Sequence, residues 1–533
     1  MQLSYDALSL SEWREKGYQL PLFNIPEVVN KTKEEPVWLH LGAGNIFRAF
    51  LANLQQRLLD QGYVQQGIIV AEGFDYEIIE KAYRPFDNLS IFAKLKNDHS
   101  LDKIVIASIV ESLRMDPSFK QDFARLKEIF ISPSLQMVSL TITEKGYQIK
   151  GLNGEYYPAV QSDLEQGLAN PQSYIGKIVA LLHERFVAGA SPLAVVSMDN
   201  MSKNGEKLHN VIVEFARQWE KCGHVSQGFL DYLDSDKISF PWSMIDKITP
   251  RPDEEVQQRL QEDGIDNLAP VVTAKNTYVA PFVNAEELEY LAVEDNFPNG
   301  RPPLEKVGVI FADRNTVNKI ETMKVTTCLN PLHTGLAIFG CLLGFNKIST
   351  EVRDPDLLAL IKKLGYQEGL PVVIDPILIN PKQFLDEVIN IRLSNDFIPD
   401  SPQRIATDTS QKLAIRFGET IKSYVKSGKP TQDLVAIPLI LAGWLRYLLG
   451  IDDQGNKFEN SPDPRLAELK AKLAHINLGT VVSSADLEPI LSDKSIFGVD
   501  LYAVGLGTKV EQYFNQLLAG VGAVRTSLRN HVN

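Results

Sequence analysis

Three polar residues at short spacing, Lys324, Asn330 and His333, make the segment 321–344 the strongest candidate in the chain for acid–base chemistry. On one unbroken helix Lys324 and His333 would lie about 180° apart, so a break is needed if both are to face one point. Pro331 favours such a break, because proline suits the first turn of a helix and pushes the preceding residue towards extended geometry. We therefore predict a helix that begins at this proline, with Asn330 as its cap and His333 on the same face.

The residues that follow Pro331 are apolar on almost every side, which predicts a helix buried over most of its surface. Beside such an apolar wall the charged form of Lys324 is disfavoured, so the amine can exchange a proton near neutral pH. An alcohol that loses a hydride needs such a proton acceptor, together with donors that hold the resulting alkoxide. The alternative is ordinary structure: a solvated lysine, a capping asparagine and a hydrogen-bonded core histidine.

A second candidate is the glycine turn in residues 37–50, where a β-rich run passes into Gly-Ala-Gly and then into a segment with helical character. A strand, a tight turn and a helix start of this kind present backbone N–H groups to a pyrophosphate. Phe47 takes the third glycine position of the usual fingerprint, which predicts looser packing of the helix on the strand. The predicted cofactor contacts are Gly42, Ala43, Gly44, Asn45, Ile46 and Phe47. A plain strand–helix turn is the alternative.

A second strand is predicted over residues 67–71, and it is followed by Glu72 with Asp75 nearby. A carboxylate at this place accepts hydrogen bonds from an adenosine ribose and repels a 2′-phosphate. Glu72 and Asp75 therefore favour NAD over NADP as the cofactor. The other interpretation is two acids on a solvated loop.

Further β-rich runs at residues 104–109, 137–142 and 193–198 alternate with helical patterns at 117–129 and 173–188. This alternation predicts an α/β fold with a parallel sheet and helices on both of its faces. Ligands of such sheets bind beyond the carboxyl ends of the strands. The polar residues that follow two of these strands are therefore candidates for ligand contact.

Glu144 and Asn200 are among those polar residues. Another candidate is the loop predicted at 240–250, where Asp246 and Lys247 lie between apolar residues. A turn with an ordinary ion pair would look the same. These residues can form one binding site only if the fold brings them together.

The C-terminal part of the chain has a helical pattern instead of the alternating one. Residues 296–303, rich in Asn, Pro and Gly, predict a linker. Beyond residue 313 the pattern is mainly helical, with helices predicted at 332–345, 355–364, 409–427, 433–450, 464–475 and 508–522. Arg404 and Lys412 are eight residues apart, so they can converge on an anionic or hydroxyl-rich ligand, or lie on a solvated helix face.

Composition excludes several classes of protein. With 533 residues, 44% hydrophobic and 23% charged, the chain is typical of a soluble globular protein of two or more domains. A net charge of −13 argues against a nucleic-acid surface or an anionic-membrane surface. Three cysteines without disulfide or metal-ligand spacing suit a reducing cytoplasm and predict no metal site. The first residues lack a signal core, and Arg446 interrupts the longest apolar run near the C-terminus, so no membrane span is expected.

From about residue 37 to the C-terminus the chain resembles the mannitol dehydrogenase family of polyol-specific long-chain dehydrogenases, which also includes fructuronate and tagaturonate reductases. The resemblance implies a Rossmann-type NAD-binding domain over residues 1–305, a mainly α-helical substrate and catalytic domain over residues 306–533, a catalytic lysine and no metal. The motifs that carry it occur in the family's order: HLGAGNIFRAF, SLTITEKGY, VVSMDNMSKNG, FPWSMIDKITP, DNFPNGRPPLE, MKVTTCLNPLHT, RIATDTSQK and AGWLRYLLGIDDQG.

By this resemblance Lys324 corresponds to the family's general acid/base, and Asn330 and His333 to the groups that stabilise the alkoxide or carbonyl. Glu144 matches an acid that helps protons leave. The positions that match substrate contacts are Asn200, Asp246, Arg404 and Lys412. The family usually has four residues between the lysine and the asparagine, whereas this chain has five. Either an irregular turn absorbs the extra residue, or Lys324 is displaced.

The Asn-Pro-Leu-His sequence most resembles the fructuronate-reducing branch of hexuronate metabolism, whose product is D-mannonate. A cationic trio of Lys324, Arg404 and Lys412 would suit the carboxylate of such a sugar acid. Members that act on neutral polyols use the same arginine and lysine, so mannitol 2-dehydrogenase and tagaturonate reductase activities remain alternatives. A non-catalytic NAD sensor, from another class, would need no proton acceptor among these residues.

Overall fold

The computed structural model of the protein describes residues 1–151 and 153–533. The chain forms two compact units, Met1–Asn318 (unit 1) and Lys319–Asn533 (unit 2). Unit 1 is an α/β unit with a parallel sheet and unit 2 is helical, which confirms the predicted fold class. The predicted domain boundary follows residue 305, whereas the two units divide after Asn318, because Ile310–Ala312 still adds a strand to unit 1. For the same reason the predicted linker at 296–303 lies inside unit 1.

Every strand of the described chain lies in unit 1. In chain order they are β1 (Tyr18–Gln19), β2 (Trp38–Leu41), β3 (Ile68–Glu72), β4 (Ser90–Leu95), β5 (Leu101–Ile106), β6 (Ile109–Arg114), β7 (Met137–Leu140), β8 (Leu193–Ser197), β9 (Ile238–Ser239), β10 (Ser243–Asp246), β11 (Val271–Val272), β12 (Tyr278–Val279), β13 (Phe282–Glu286), β14 (Tyr290–Glu294) and β15 (Ile310–Ala312). Six of them form a sheet in the order β6-β3-β2-β7-β8-β9, and every neighbouring pair is parallel.

The parallel sheet is buried on both faces, as its nearly continuous apolar strands require. Successive side chains of a strand point to opposite faces, and in β2 Leu39 and Leu41 enter one core cluster whereas Trp38 enters the other. Strands β3, β7 and β8 divide in the same way. The first cluster is completed by helices that follow β6, β7 and β8, and the second by the helix after β2 and by strands of the smaller sheets.

The helices of unit 1 connect these strands. The two helices predicted from periodicity are present at Lys120–Ile131 and Tyr174–Val187. Ser173 caps the second, because its hydroxyl accepts from the N–H of Gly176. The other α-helices of unit 1 are Glu12–Glu15, Ile25–Glu34, Ala52–Asp60, Thr143–Gly146, Pro158–Gln166, Asn204–Lys221, Gln227–Leu233 and Glu254–Glu262.

Two expectations for unit 1 are wrong in detail. The run 104–109, predicted as one strand, contains the end of β5 and the start of β6, with Ala107 and Ser108 between them. Strand β5 pairs antiparallel with β4 in a four-stranded sheet, whereas β6 pairs parallel with β3. The loop predicted at 240–250 includes β10, whose Asp246 pairs with Tyr290 of β14. An unbroken apolar run does not reveal where the chain changes its pairing partner.

Unit 2 is built from helices. All six helices predicted there are present within a few residues of their expected bounds. The α-helices are Arg314–Met323 (which enters from unit 1), Asn330–Leu343, Ile348–Arg353, Pro355–Lys362, Pro381–Glu387, Pro402–Ile405, Thr409–Leu413, Glu419–Lys426, Ala436–Leu448, Leu466–Leu473, Ser484–Leu491, Lys494–Phe497, Gly507–Leu517 and Ala523–Val532.

Two apolar helices form the centre of unit 2. Ala436–Leu448 is buried at every position, and Asn330–Leu343 is buried at most. Glycines let them approach closely: an added Cβ at Gly335 would meet Ile440 at 2.9 Å, and one at Gly443 would meet Phe339 at 3.0 Å. Arg446 interrupts this apolar stretch, and its guanidinium donates to three backbone carbonyl oxygens. The predicted buried helix after Pro331 is thus confirmed.

One helical run in the described chain, Arg314–Leu343, has the length and composition to cross a membrane. In its apolar window 78% of the residues are buried inside the protein. Core helices of globular proteins pass the same test, and the packing just described is of that kind.

Glu351 is an unusual acid in the core of unit 2. It is fully buried on the helix Ile348–Arg353, and within the described chain neither of its carboxyl oxygens has a hydrogen-bond partner. Gly340 makes room for it, since an added Cβ there would overlap the Glu351 carboxyl group. Burial, with a smaller contribution from Asp354, raises the pKa of Glu351 well above its ordinary value.

Replacing Glu351 with glutamine should stabilise the protein increasingly as pH rises. The unfolded state loses the Glu351 proton near pH 4.3, whereas the folded state keeps it. Above that pH the wild type therefore loses up to about 1.4 kcal/mol of stability per pH unit at this site, until the folded-state pKa is reached. Urea unfolding of both proteins at pH 5 and pH 7 measures the effect. A stability difference that is the same at both pH values would contradict it.

Candidate active site

The unit 1 part of the site begins with the glycine turn after β2. Gly42 has a φ of +109°, and an added Cβ would overlap the carbonyl oxygen of Thr141. Its N–H donates to the carbonyl oxygen of Ala71 at 2.8 Å. Only glycine fits here, because both the backbone conformation and the close approach of the chain after β7 exclude a side chain.

Gly44 is small for a different reason. An added Cβ at Gly44 would meet no heavy atom of the protein within 4 Å, so packing does not require glycine there. In a dinucleotide-binding turn the second glycine lets the pyrophosphate approach the backbone. The first N–H groups of the helix that follows have no intrahelical acceptor. The turn therefore has the space and the donors that a bound dinucleotide needs.

The bulky residue at the third glycine position is accommodated by a change of helix geometry. Phe47–Leu51 is a π-helical turn, and the ring of Phe47 stacks on that of His40 with centroids 4.5 Å apart. A π turn holds one more residue than an α turn. The wider turn leaves room for the phenyl ring of Phe47 between the helix and β2. Asn45 accepts a hydrogen bond from the buried Arg48 at 3.0 Å, so its side chain ties down the start of the helix.

Glu72 holds the glycine turn through backbone hydrogen bonds. Its Oε2 accepts from the N–H of Ala43 at 2.8 Å, and its Oε1 accepts from those of Phe74 at 2.8 Å and Asp75 at 3.2 Å. Burial raises the pKa of Glu72, and the three N–H donors act in the opposite direction. Asp75 accepts from the Thr273 hydroxyl at 2.6 Å. The two acids are 6% and 3% exposed, so the interpretation as a solvated loop is wrong.

A cleft of about 370 Å³ in unit 1 gathers four of the predicted site residues. Residues beyond the ends of β7 and β8, residues of β10 and the start of the helix after the glycine turn line this cleft. Ile46, Glu144, Asn200 and Asp246 are all among them. Because ligands of parallel sheets bind beyond the strand ends, the cleft has the position expected of a binding site.

Asp199 shapes one wall of the cleft. Its carboxylate accepts from two backbone N–H groups of the chain after β7, at 2.9 and 2.8 Å, and from the hydroxyl of Tyr147 at 2.6 Å. Burial raises the pKa of Asp199, and these donors oppose the rise. The bonds fix the short helix that carries Glu144, whose side chain stays exposed and lies 3.9 Å from the ammonium group of Lys207.

Lys247 does form an ion pair, as the alternative for residues 240–250 expects, but not with Asp246. Its fully buried ammonium group lies 3.0 Å from the carboxylate of Glu289 and donates to the carbonyl oxygen of Glu286 at 3.0 Å. Burial lowers the pKa of Lys247, and Glu289 opposes this. The lysine is thus neutralised within the protein, and Asp246 is a separate acid of the cleft wall.

In unit 2, Lys324 lies in an irregular turn. Lys324–Cys328 is a π-helical turn, in which the N–H of Leu329 donates to the carbonyl oxygen of Lys324 at 3.1 Å. Such a turn contains one residue more than an α turn, so it provides room for the fifth residue between Lys324 and Asn330. Lys324 is 2% exposed, so the interpretation as a solvated lysine is wrong.

The predicted break between Lys324 and His333 is confirmed, but it falls one residue earlier than expected. Leu329 is the N-cap of the next helix, with φ −129° and ψ −64°, and Asn330 is already its first helical residue. Asn330 is therefore not a cap, which corrects the prediction. The cause is the π turn, because its long hydrogen bond ends at Leu329 and leaves the following residue free to start the helix.

His333, Asp400 and Arg404 form a chain of charged groups. Nε2 of His333 lies 3.4 Å from Oδ2 of Asp400, and the guanidinium of Arg404 contacts the other carboxylate oxygen. Burial tends to raise the pKa of Asp400, but His333 and Arg404 outweigh it and hold that pKa below its ordinary value. Within the described chain Nε2 of His333 is buried without a well-aligned hydrogen bond. It can therefore pair with the oxygen of a ligand.

Lys412 and Arg404 differ in their surroundings. The side chain of Arg404 is 63% exposed, so most of it is solvated, as the alternative interpretation expects. Lys412 is half-buried, and its ammonium group donates to a backbone carbonyl oxygen. Burial lowers the pKa of Lys412, Arg416 and Arg404 lower it further, and two aspartates act in the opposite direction. The fold thus places the two predicted cations close enough for the charge of Arg404 to lower the pKa of Lys412.

Sequence reasoning missed Asp400 and Arg416. The spacing of Asp400, four residues before Arg404, was a usable signal, because acid–base pairs at this spacing meet on helices. Here Asp400 precedes the helix Pro402–Ile405, and the pair still forms. For Arg416 the sequence contains no such signal, since burial of a cation is a property of the fold. In the part of the chain that the structure describes, no group of three His, Cys, Asp or Glu residues could hold a metal ion.

Known proteins resemble the chain over most of its length. The mannitol dehydrogenase Rossmann domain matches residues 37–306, and the mannitol dehydrogenase C-terminal domain matches residues 316–518. The D-mannonate oxidoreductase of Thermotoga maritima is 52% identical over 98% of this chain and 97% of its own length. The mannitol 2-dehydrogenase of Pyrenophora tritici-repentis is 31% identical over 87% of this chain and 76% of its own length.

A solved structure agrees with these sequence matches. The ternary complex of Pseudomonas fluorescens mannitol 2-dehydrogenase with NAD and D-mannitol is 26% identical, has a TM-score of 0.71 and covers 99% of both chains. Both domain models and a relative of high identity thus point to one family. The chain belongs to the mannitol dehydrogenase family and is a dehydrogenase that acts on CH–OH groups.

Proposed function

We propose that the protein is an NAD-dependent reductase of a keto sugar acid, which converts D-fructuronate and NADH into D-mannonate and NAD. The observation that carries the proposal is the 52% identity, over 98% of the chain, with a D-mannonate oxidoreductase. The buried Lys324 and the buried Nε2 of His333, which has no well-aligned hydrogen bond in the described chain, support the reaction type.

NAD would be held by unit 1. The open space at Gly44 and the N–H groups after it would receive the pyrophosphate. Glu72, at the end of β3, would accept a hydrogen bond from the adenosine ribose and repel a 2′-phosphate, which favours NAD over NADP. Among the described residues its Oε2 accepts one hydrogen bond, from the N–H of Ala43, so it has capacity for a hydroxyl donor. Bound NADH supplies the hydride that reduces the ketone.

Lys324 would supply the proton. In reduction the charged amine gives its proton to the ketone oxygen, and in oxidation the neutral amine takes it from the hydroxyl group. Asn330 and His333 would donate hydrogen bonds to the same oxygen as negative charge develops on it. Asp400 would act as a positioning residue, because its carboxylate lies 3.4 Å from Nε2 and orients the imidazole of His333.

The remaining predicted residues have supporting roles in the proposal. Asn200, Asp246, Arg404 and Lys412 would bind the hydroxyl and carboxylate groups of the substrate. Glu144 is exposed, which suits a group that passes protons to water. All of these assignments extend the family resemblance, and site-directed variants can test each one.

Assays of purified protein with D-fructuronate, D-tagaturonate and D-fructose, each with NADH and with NADPH, test the proposed function. We expect kcat/KM for D-fructuronate with NADH to exceed that for D-fructose by about 10²-fold or more, because a site built for a polar group rejects the analogue that lacks it. The change in NADH absorbance measures the rates.

Other outcomes of these assays would replace the proposal. A preference for D-fructose would assign mannitol 2-dehydrogenase activity, and a preference for D-tagaturonate would assign tagaturonate reductase activity. Tight NADH binding without turnover of any sugar, sugar acid or polyol would favour the NAD sensor instead. A higher kcat/KM with NADPH than with NADH would remove the ribose role of Glu72.

A further inference from the structure

Arg416 lies against the helix that carries Asn330 and His333. It belongs to the π-helical turn Ala414–Gly418, and its guanidinium donates to the hydroxyl of Thr334. Thr334 is fully buried next to His333, and its own hydroxyl donates to the carbonyl oxygen of Asn330 at 2.9 Å. The guanidinium therefore reaches the first turn of the proposed catalytic helix of unit 2.

The half-buried guanidinium of Arg416 has few hydrogen-bond or ion-pair partners. Within the described chain no carboxylate lies within 4.0 Å of its guanidinium, and the Thr334 hydroxyl is its only hydrogen-bond acceptor. Burial lowers its pKa to about 10. The fully buried Arg185 is different, because its guanidinium donates to five backbone carbonyl oxygens. A guanidinium has five N–H donors, so most of those of Arg416 are left for a ligand.

Lys412 adds a second positive charge one helical turn away. Residues four apart share a helix face, and like charges at this spacing repel. Lys412 also has no carboxylate within 4.0 Å in the described chain; Asp408 and Asp463 act on it only from farther away. Arg404, by contrast, is already paired with Asp400. The free positive charge beside the helix start therefore belongs to Lys412 and Arg416, not to Arg404.

We propose that Arg416, together with Lys412, binds the carboxylate of the sugar-acid substrate and is the residue that selects a sugar acid over a neutral polyol. This inference rests on the proposed function and adds the group that recognises the acid. A guanidinium can bind both oxygens of a carboxylate, and a carboxylate also relieves the repulsion between the two cations. A hydroxymethyl group in its place offers neither effect.

The variants Arg416→Gln and Arg416→Lys test the proposal, with Lys422→Gln as the control. Lys422 is an exposed cation farther along the same helical run, paired with Glu419 at 2.7 Å. We expect Arg416→Gln to lower kcat/KM for D-fructuronate by about 10²-fold, the cost of a lost charge-assisted hydrogen-bond pair. Its kcat/KM for D-fructose should change by less than about threefold. Arg416→Lys should recover part of the loss, and the control should behave as wild type.

A second measurement does not depend on turnover. D-Mannonate and D-mannitol differ only in the carboxylate at one end, so thermal unfolding of the wild type with each ligand isolates that group. We expect D-mannonate to raise Tm, D-mannitol at equal concentration to raise it much less, and Arg416→Gln to remove the difference. Added salt should also reduce the effect of D-mannonate.

The outcomes separate this inference from the proposed function. Equal losses on D-fructuronate and D-fructose in Arg416→Gln, or equal effects of D-mannonate and D-mannitol on wild-type Tm, would overturn the role of Arg416. Neither result contradicts the proposed function if the wild type reduces D-fructuronate. If the wild type does not reduce D-fructuronate but D-mannonate still raises Tm through Arg416, the proposed function fails and the carboxylate site stands.

Discussion

Replacing Lys324 with alanine should lower kcat for ketone reduction by about 10³-fold, the usual contribution of a positioned general acid. NADH binding should change little, because the proposed dinucleotide contacts lie in unit 1. Lys324 is 2% exposed in its π-helical turn, so bulk water does not readily take over the proton transfer when the side chain is removed. Steady-state kinetics and NADH fluorescence titration measure the two quantities. Retention of near-wild-type kcat would remove Lys324 from its proposed role.

Chemical rescue distinguishes a catalytic from a structural lysine. Methylamine added to Lys324→Ala should restore part of the rate, because a small amine can enter the space left by the side chain and supply the same proton. The exposed lysine Lys362, replaced with alanine, is the matched control and should keep wild-type kinetics. A variant that loses activity and gains nothing from any amine would indicate that the lysine only supports the fold.

Replacing Gly44 with valine should weaken NADH binding by about 10²-fold or more, equivalent to about 2.7 kcal/mol. The added side chain meets no protein atom near its Cβ, so it would occupy the space that the pyrophosphate needs. Thermal stability should stay within a few degrees of wild type, as for other substitutions outside packed regions. Isothermal titration with NADH and a thermal melt together test the prediction.

Gly42 is the natural comparison, because its glycine is required by the protein itself. With φ +109° and the Thr141 carbonyl oxygen in the way, Gly42→Ala should lower Tm clearly or prevent folding. Wild-type NADH affinity in Gly44→Val would show that the dinucleotide binds elsewhere. Equal losses of Tm in the two variants would show that packing, not the ligand, requires both glycines.

Much of unit 1 could be predicted because its signals are local. Strands β2, β3, β7 and β8 follow from short apolar runs, and a parallel sheet buried on both faces needs such runs. The glycine turn follows from residue type at fixed spacing. Where the prediction failed, at 104–109 and at 240–250, the apolar pattern continued across a change of pairing partner, which depends on residues far away in the chain.

In unit 2 the prediction located the helices but not the details of the site. The pattern indicates a buried helix after Pro331 and a break before it, and both are present. The π turn at Lys324–Cys328, which moves the break to Leu329, depends on packing that periodicity does not record. The approach of Asp400 to His333 joins residues 67 apart in the chain, so no local pattern contains it.

The sequence by itself determined the class of fold, the turn that suits a dinucleotide and the residue types needed for proton and hydride chemistry, because these depend on side-chain identity and short spacing. The tertiary structure decided which charges are already paired. Arg404 pairs with Asp400 and Lys247 pairs with Glu289, whereas the half-buried Arg416 has no acid within 4.0 Å in the described part of the chain. Pairing of this kind is set by contacts between distant segments, so only the folded chain shows which cation is left for a substrate.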